Sequence, residues 1–141
     1  GTSVAAGDKE RLSDDSVHMA GIIGDVAGKH AIIFDDEIAT GGTVVELVRL
    51  LRDQGVSEVT LACTHGVFSG PAVERLCGIP EIVEIITTNT VPLPPEKHLP
   101  KLTVLSVAFI FAEAIRRNLL GQSVGSLFAY WPDEKDATVA L

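Results

Sequence analysis

The chain has 141 residues, 46% of them apolar and only 5% aromatic, enough for one domain with an aliphatic core. Its formal net charge of -8 argues against general nucleic-acid binding and against anionic membranes, so any phosphate site has to be local, built from loops and a few cations. Cys63 and Cys77 form neither a metal-type pair nor a disulfide framework, and no apolar run reaches transmembrane length, which points to a reduced, cytoplasmic setting.

In chain order, residues 2–6 read as a short strand or strand remnant. Gly7, Asp8, Lys9, Glu10 and Arg11 make a polar, charged stretch that reads as a turn. Two short strands around a glycine-rich turn are expected over 16–29, with Asp25 next to Gly24 as a turn residue. Residues 31–34, Ala-Ile-Ile-Phe, fit a strand buried on both faces. The chain then turns acidic at Asp35, Asp36 and Glu37 and enters a small polar loop, Ala39, Thr40, Gly41, Gly42 and Thr43.

A helix is expected over 42–54, with Val44, Leu47, Val48 and Leu51 on one face and Gly55 as its stop. Residues 56–63 read as the next buried strand, with Val59, Leu61 and Cys63 on one side. Pro71 suits the first turn of a following helix, with Ser69 or Gly70 as its cap. Residues 82–86 read as a third strand, a proline-rich loop follows over 87–95, and residues 102–107 read as a fourth strand. A helix over 108–120 turns Ile110, Phe111, Ala114 and Ile115 inward, carries Arg116 and Arg117 in its last turns as the helix dipole favours, and ends at Gly121. The tail from 132 reads as frayed.

Alternating strand and helix after residue 30 implies βαβ units. The expected fold class is therefore α/β, a mostly parallel twisted sheet with helices on both faces, with residues 1–141 as a single domain. Ligands in such sheets sit beyond the carboxyl ends of the strands. Asp35, Asp36, the glycine loop and His65 all map to that rim.

The chemistry of the 30–43 stretch follows from its order. Two adjacent carboxylates cannot stay unpaired in a core, so they must reach solvent, a metal or ligand hydroxyls. Gly41 and Gly42 let backbone approach a ligand closely. The helix beginning there offers free N–H groups and a positive dipole end to an anion, and Thr40 and Thr43 add hydroxyls. The site suits a ligand with both hydroxyls and a phosphate, such as a sugar phosphate. The spacing is neither GxxxxGK[ST] nor GxGxxG, so neither the nucleotide P-loop nor the dinucleotide fingerprint is supported.

The run Phe34-Asp35-Asp36-Glu37-Ile38-Ala39-Thr40-Gly41-Gly42-Thr43 resembles the phosphoribosyl-diphosphate (PRPP) signature of type I phosphoribosyltransferases and ribose-phosphate diphosphokinases. Other phrases favour the diphosphokinases. These are IIGDVAGK before the motif, THGVFSGPA from Thr64 to Ala72, TNTVP from Thr88, and AEAIRR followed by SVGSLF at 123–128. The resemblance covers roughly residues 8–128 and corresponds to the carboxyl-terminal half of a full diphosphokinase. It implies a phosphoribosyltransferase-like fold and transfer of diphosphate from ATP to the C1 hydroxyl of ribose 5-phosphate, giving PRPP and AMP.

Residue by residue, the resemblance implies that Lys9 and Arg11, which match a catalytic loop opening with a DKxR-like sequence, stabilise the moving diphosphate. Asp35 and Asp36 would meet the ribose hydroxyls directly or through hydrated Mg2+, and Ala39 to Thr43 would cradle the 5-phosphate. Ser123, Val124 and Phe128 match a nucleotide regulatory site between subunits, and Gly125 departs from the serine often found there. Ala39 departs too, since many diphosphokinases have Asp at that place. Its loss removes a carboxylate beside an anion site while leaving a backbone-based phosphate cradle. The partners implied are ATP and ribose 5-phosphate, with homo-oligomers or pairing with an amino-terminal domain, and no nucleic acid or membrane. Two alternatives remain open: a non-catalytic diphosphokinase-associated regulatory subunit, and a nucleobase phosphoribosyltransferase, for which no clear base-binding hood is found.

Overall fold

The structure, a computed structural model, describes the backbone of residues 6–13 and 16–128 and the side chains of residues 21–127. The chain divides into two compact units, with the boundary between Leu105 and Ser106.

The first unit carries a four-stranded sheet, β3 (His30–Ile38), β4 (Glu58–Gly66), β5 (Ile82–Thr88) and β6 (Leu102–Leu105), in that spatial order and parallel throughout. Helix α1 (Gly42–Asp53) connects β3 to β4, and α2 (Ala72–Cys77) connects β4 to β5. The α/β reading with a parallel sheet therefore holds, since parallel neighbours need a crossover and the helices supply it. Ahead of them stands an antiparallel hairpin, β1 (Ala6–Ser13) and β2 (Ser16–Ile23).

The hairpin corrects one expectation. The charged stretch at Gly7–Arg11 is strand, not turn: Lys9 pairs with Met19 and Arg11 with Val17, with irregularities in register on either side. Ladder pairing satisfies backbone groups that a loop would leave to water. The side chains of Lys9 and Arg11 lie outside the described residues.

A second correction concerns which strand is buried on both faces. In β3, Ala31 and Ile33 pack on the core, whereas Ile32 is 68% and Phe34 81% exposed. β3 is one of the two edge strands of the sheet among the described residues. The strand covered on both sides is β4, where Val59, Thr60, Leu61, Ala62 and Cys63 are all buried. Interior position in the sheet, not apolar content, produces that continuous burial.

Helix α1 follows the sequence pattern closely. Val44, Val48 and Leu51 are buried, and Leu47 is packed beside them. Gly55, at φ 88, ends the helix: its N–H donates to Arg52 O at 2.9 Å, and Val56 N–H donates to Leu51 O at 3.0 Å. For α2, neither Ser69 nor Gly70 supplies a side-chain cap; Pro71 occupies the cap position. The core gathers α1, Leu76 of α2, β4, Ile82 and Ile85 of β5, and Phe68.

The second unit contains α3 (Ala108–Leu119) and a 3-10 turn over Gly125–Phe128. Within this unit Ile110, Phe111 and Ile115 are exposed, contrary to the inward face expected of them, and only Ala114 is half-buried. Among the described residues of this unit only one short turn accompanies the helix, too little structure to cover its face. Arg116 and Arg117 do stand in the last turns, and both bind Glu113, each at 2.7 Å. Hydrogen bonds from Arg116 and then Arg117 pull the Glu113 carboxyl down to about 2. Gly121, at φ 64, follows the helix end.

Candidate functional site

The site lies where β3 and β4 run out. Asp35 and Asp36 stand near the end of β3, each folded onto the next residue: Asp36 N–H donates to Asp35 Oδ1 at 3.0 Å and Glu37 N–H donates to Asp36 Oδ1 at 2.9 Å. Each carboxylate thus commits one oxygen to a backbone amide. Hydrogen bonding with the Asp35 side chain, then with the Glu37 and Asp36 amides, holds the Asp36 carboxyl below its ordinary value, and His65 adds a smaller electrostatic pull. Asp36 is therefore an anion at neutral pH.

The glycine loop continues directly into α1. Gly41 has φ 73, a conformation open to glycine, and a Cβ there would lie 3.6 Å from the Leu76 side chain. Gly42 has ordinary φ, and a Cβ there would meet only Thr40 Oγ1 at 3.8 Å and Arg75 Nη1 at 3.9 Å. The first helical bond runs from Val45 N–H to Gly41 O at 3.0 Å. The amides of Gly42, Thr43 and Val44 precede it, so they are the free donors of a helix start. Thr40 is exposed and Thr43 half-buried, and their hydroxyls make no hydrogen bond to other described residues.

The segment after β4 braces this loop. Val67 and Phe68 N–H both donate to Ile38 O, at 3.1 and 3.0 Å, and Ser69 N–H donates to Ala39 O at 3.0 Å. Arg75 Nη1, from α2, donates to Thr40 O at 3.1 Å. Phe68 is buried in the left-handed region at φ 42, and its ring fills the space over Gly66, where an added Cβ would fall 2.6 Å from Phe68 Cε2. Lys97 Nζ closes the far side by donating to Val67 O at 2.7 Å.

His65 is pinned at the same rim. Its Nδ1 lies 2.8 Å from Thr90 Oγ1, within a hydroxyl cluster in which Thr88 donates to Thr64 O at 2.8 Å and Thr90 donates to Thr64 O at 3.0 Å. The proline-rich loop after β5 is thereby tied to the end of β4.

The structure thus brings together Asp35, Asp36, Ala39, Thr40, Gly41, Gly42 and Thr43, with His65 beside them. Sequence reasoning missed Arg75, which lies inside a helix 35 residues beyond its partner; nothing local marks it. It also missed the threonine cluster, for which the run Thr87, Thr88 and Thr90 was the available signal. Ser123 and Val124 belong to the second unit. There Ser123 Oγ accepts from Gly125 N–H at 3.1 Å, and Arg117 donates to Ser123 O at 3.0 Å and to the Ser126 hydroxyl. The Phe128 side chain lies outside the described residues.

No cluster of three or more metal-ligating side chains occurs among the described residues. Two adjacent carboxylates, Asp35 half-buried and Asp36 exposed, fit Mg2+ of the kind that keeps its waters and completes its shell with substrate phosphates. No helix among the described residues is long and apolar enough to cross a membrane.

Fold and rim together define an α/β domain with a glycine loop opening a helix at the carboxyl edge of a parallel sheet. The model of the phosphoribosyl synthetase-associated domain matches residues 12–129, and the chain belongs to that family. A Streptomyces coelicolor protein is 51% identical over 128 residues, 91% of this chain and 40% of that one. The ribose-phosphate pyrophosphokinase of Synechococcus elongatus is 47% identical over 121 residues, 86% of this chain and 37% of the relative. That of Caldanaerobacter subterraneus is 50% identical over 121 residues, with 86% and 38% covered. The crystal structure of phosphoribosylpyrophosphate synthetase from Mycobacterium smegmatis superposes with a TM-score of 0.69 at 43% identity, covering 77% of this chain and 35% of that one. The chain thus spans well under half the length of these relatives.

Proposed function

We propose that this chain serves a ribose-phosphate diphosphokinase, binding ribose 5-phosphate on the loop between β3 and α1. The observation that carries the reading is the loop itself, with amides at a helix start that have no partner among the described residues, directly beside the adjacent carboxyl groups of Asp35 and Asp36. Relatives named ribose-phosphate pyrophosphokinase support the reaction.

In that reaction the C1 hydroxyl oxygen of the sugar attacks the β-phosphorus of ATP. The bond from that phosphorus to the bridging oxygen breaks, AMP leaves, and the hydroxyl proton is lost, giving PRPP. The Ala39–Thr43 backbone and the Thr40 and Thr43 hydroxyls hold the 5-phosphate. Asp35 and Asp36 accept hydrogen bonds from the ribose hydroxyls, directly or through a hydrated Mg2+ that they would hold. When bound, the ion neutralises charge on the phosphate oxygens. Lys9 and Arg11 stabilise charge on the moving diphosphate. Transfers of this kind depend on positioning and charge stabilisation more than on a strong base.

The same reading takes residues 1–141 as one phosphoribosyltransferase-like domain acting in the cytoplasm, in a homo-oligomer or together with an amino-terminal domain. It assigns Ser123, Val124 and Phe128 to a regulatory nucleotide site. Calorimetric titration with ribose 5-phosphate, with and without Mg2+, tests the central claim. Saturable binding is expected, weakened about tenfold or more by Asp36→Asn, in line with losing a charge-assisted hydrogen bond. Unchanged affinity in that variant would remove the sugar from this loop. Adding ATP and assaying for AMP, alone and with a full-length relative supplied in trans, then separates a catalytic domain from a binding partner.

A further inference from the structure

Four consecutive carbonyls approach the phosphate loop, and each has a protein donor. Ile38 O accepts from Val67 and Phe68 N–H, Ala39 O from Ser69 N–H, Thr40 O from Arg75 Nη1, and Gly41 O from Val45 N–H. A trans peptide unit is planar, with its C=O and the following N–H pointing in opposite directions. Fixing those four oxygens therefore turns the N–H groups of Ala39, Thr40, Gly41 and Gly42 the other way. Released, any one of the planes could present an oxygen to the anion instead.

The four planes are not equally secure. Three are held by backbone donors, from the segment after β4 and from the first turn of α1. The Thr40–Gly41 plane alone is held by a side chain. It also precedes Gly41, whose φ of 73 is a conformation from which glycine reaches the opposite sign at little steric cost. The plane freest to turn over is thus the one that Arg75 grips, from a helix that otherwise contributes Ala72 and Leu76 to the core under the same loop.

We propose that Arg75 is a positioning residue of the phosphate loop, clamping the Thr40 carbonyl so that the Gly41 amide stays turned toward the ligand. This rests on the reading of the loop as a sugar-phosphate receptor. It adds to that reading a residue acting through the backbone, not through the phosphate. Arginine suits the task because its rigid fork keeps a fixed reach and stays charged at all working pH values, whereas lysine offers a mobile point charge.

The test compares wild type, Arg75→Ala and Arg75→Lys by residue-resolved amide exchange without ligand, and by titration with ribose 5-phosphate, inorganic phosphate and ribose. Arg75 is exposed, so thermal midpoints of the variants are expected to stay near wild type. In Arg75→Ala the Val45 and Ser69 amides, bonded to the carbonyls flanking Thr40 O, should exchange about fivefold faster or more through local opening. Ribose 5-phosphate should bind about tenfold more weakly, with ribose affinity unchanged. Added guanidinium should recover part of both effects, and Arg75→Lys should recover less than the native side chain provides. Weaker binding with unchanged amide exchange would overturn the proposal and make Arg75 a direct phosphate ligand. No change in either readout would also overturn it. Faster exchange in a protein whose wild type binds no ribose 5-phosphate would uphold the clamp and discard the sugar-phosphate reading.

Discussion

The loops that leave β3 and β4 stand side by side and are built in opposite ways. After β3, the carbonyls of residues 38–41 are all occupied, while the amides at the start of α1 and the hydroxyls of Thr40 and Thr43 have no partner among the described residues. After β4, the amides of Val67, Phe68 and Ser69 are consumed by the neighbouring loop, and a buried phenylalanine is held in a left-handed conformation to deliver them. In the function proposed above, one loop is a receptor because the other is a brace. The strain at Phe68 sits in the brace, where packing against Gly66 offsets it, and the receptor keeps ordinary geometry except at Gly41.

The sharpest way to break that division is to empty the brace. Phe68→Ala should destabilise the protein by about 3–5 kcal/mol, the usual range for a buried phenylalanine, read from urea unfolding. Should the variant fold, binding should weaken as well, because the donors to Ile38 O and Ala39 O shift with the ring. Unchanged stability would mean that the ring does not hold the segment.

The two loop glycines sharpen the comparison at smaller amplitude. Gly41→Ala forces a side chain into the left-handed region and should cost about 1–2 kcal/mol. Gly42→Ala meets only ordinary contacts and should alter stability by less than about 1 kcal/mol, while still weakening ribose 5-phosphate binding by crowding the ligand's approach. Equal stability losses at both positions would contradict the assignment of backbone constraint to Gly41 and ligand approach to Gly42.

The smallest effect concerns charge. The folded Asp36 carboxyl is depressed below 3.8, so the stabilisation it lends is present above 3.8 and fades as pH falls through the lower folded value. Titration of the Asp36 side-chain carbon by NMR should show that lowered midpoint. Asp35→Ala should move it toward 3.8 more than His65→Ala does, following the order of causes. A larger response to the histidine would place the main control in the β4 loop instead.

Much of this was legible in the residue pattern. The 3.6-residue spacing of Val44, Val48 and Leu51, stopped by Gly55, specified α1 almost to its ends. The sequence of apolar run, acids, glycine pair and helix located the rim. What misled was reading burial from apolar content. Ile32 and Phe34 looked like part of a doubly buried strand, but burial depends on neighbours, and among the described residues β3 has a strand on one side only. The same reason left Ile110, Phe111 and Ile115 exposed within their unit. The charged stretch at Lys9 and Arg11 looked like a turn because charge alone does not distinguish a loop from a paired strand.

The sequence by itself determined the alternation of strand and helix after residue 30, the acidic pair at Asp35 and Asp36, and the glycine loop, because each depends on local periodicity or composition or on the intrinsic freedom of glycine. Only the tertiary structure decided which way the loop's peptide planes face. That orientation is set by donors from Val67, Phe68, Ser69 and Arg75, which lie tens of residues away in sequence and meet the loop only because β3 and β4 are neighbours in register.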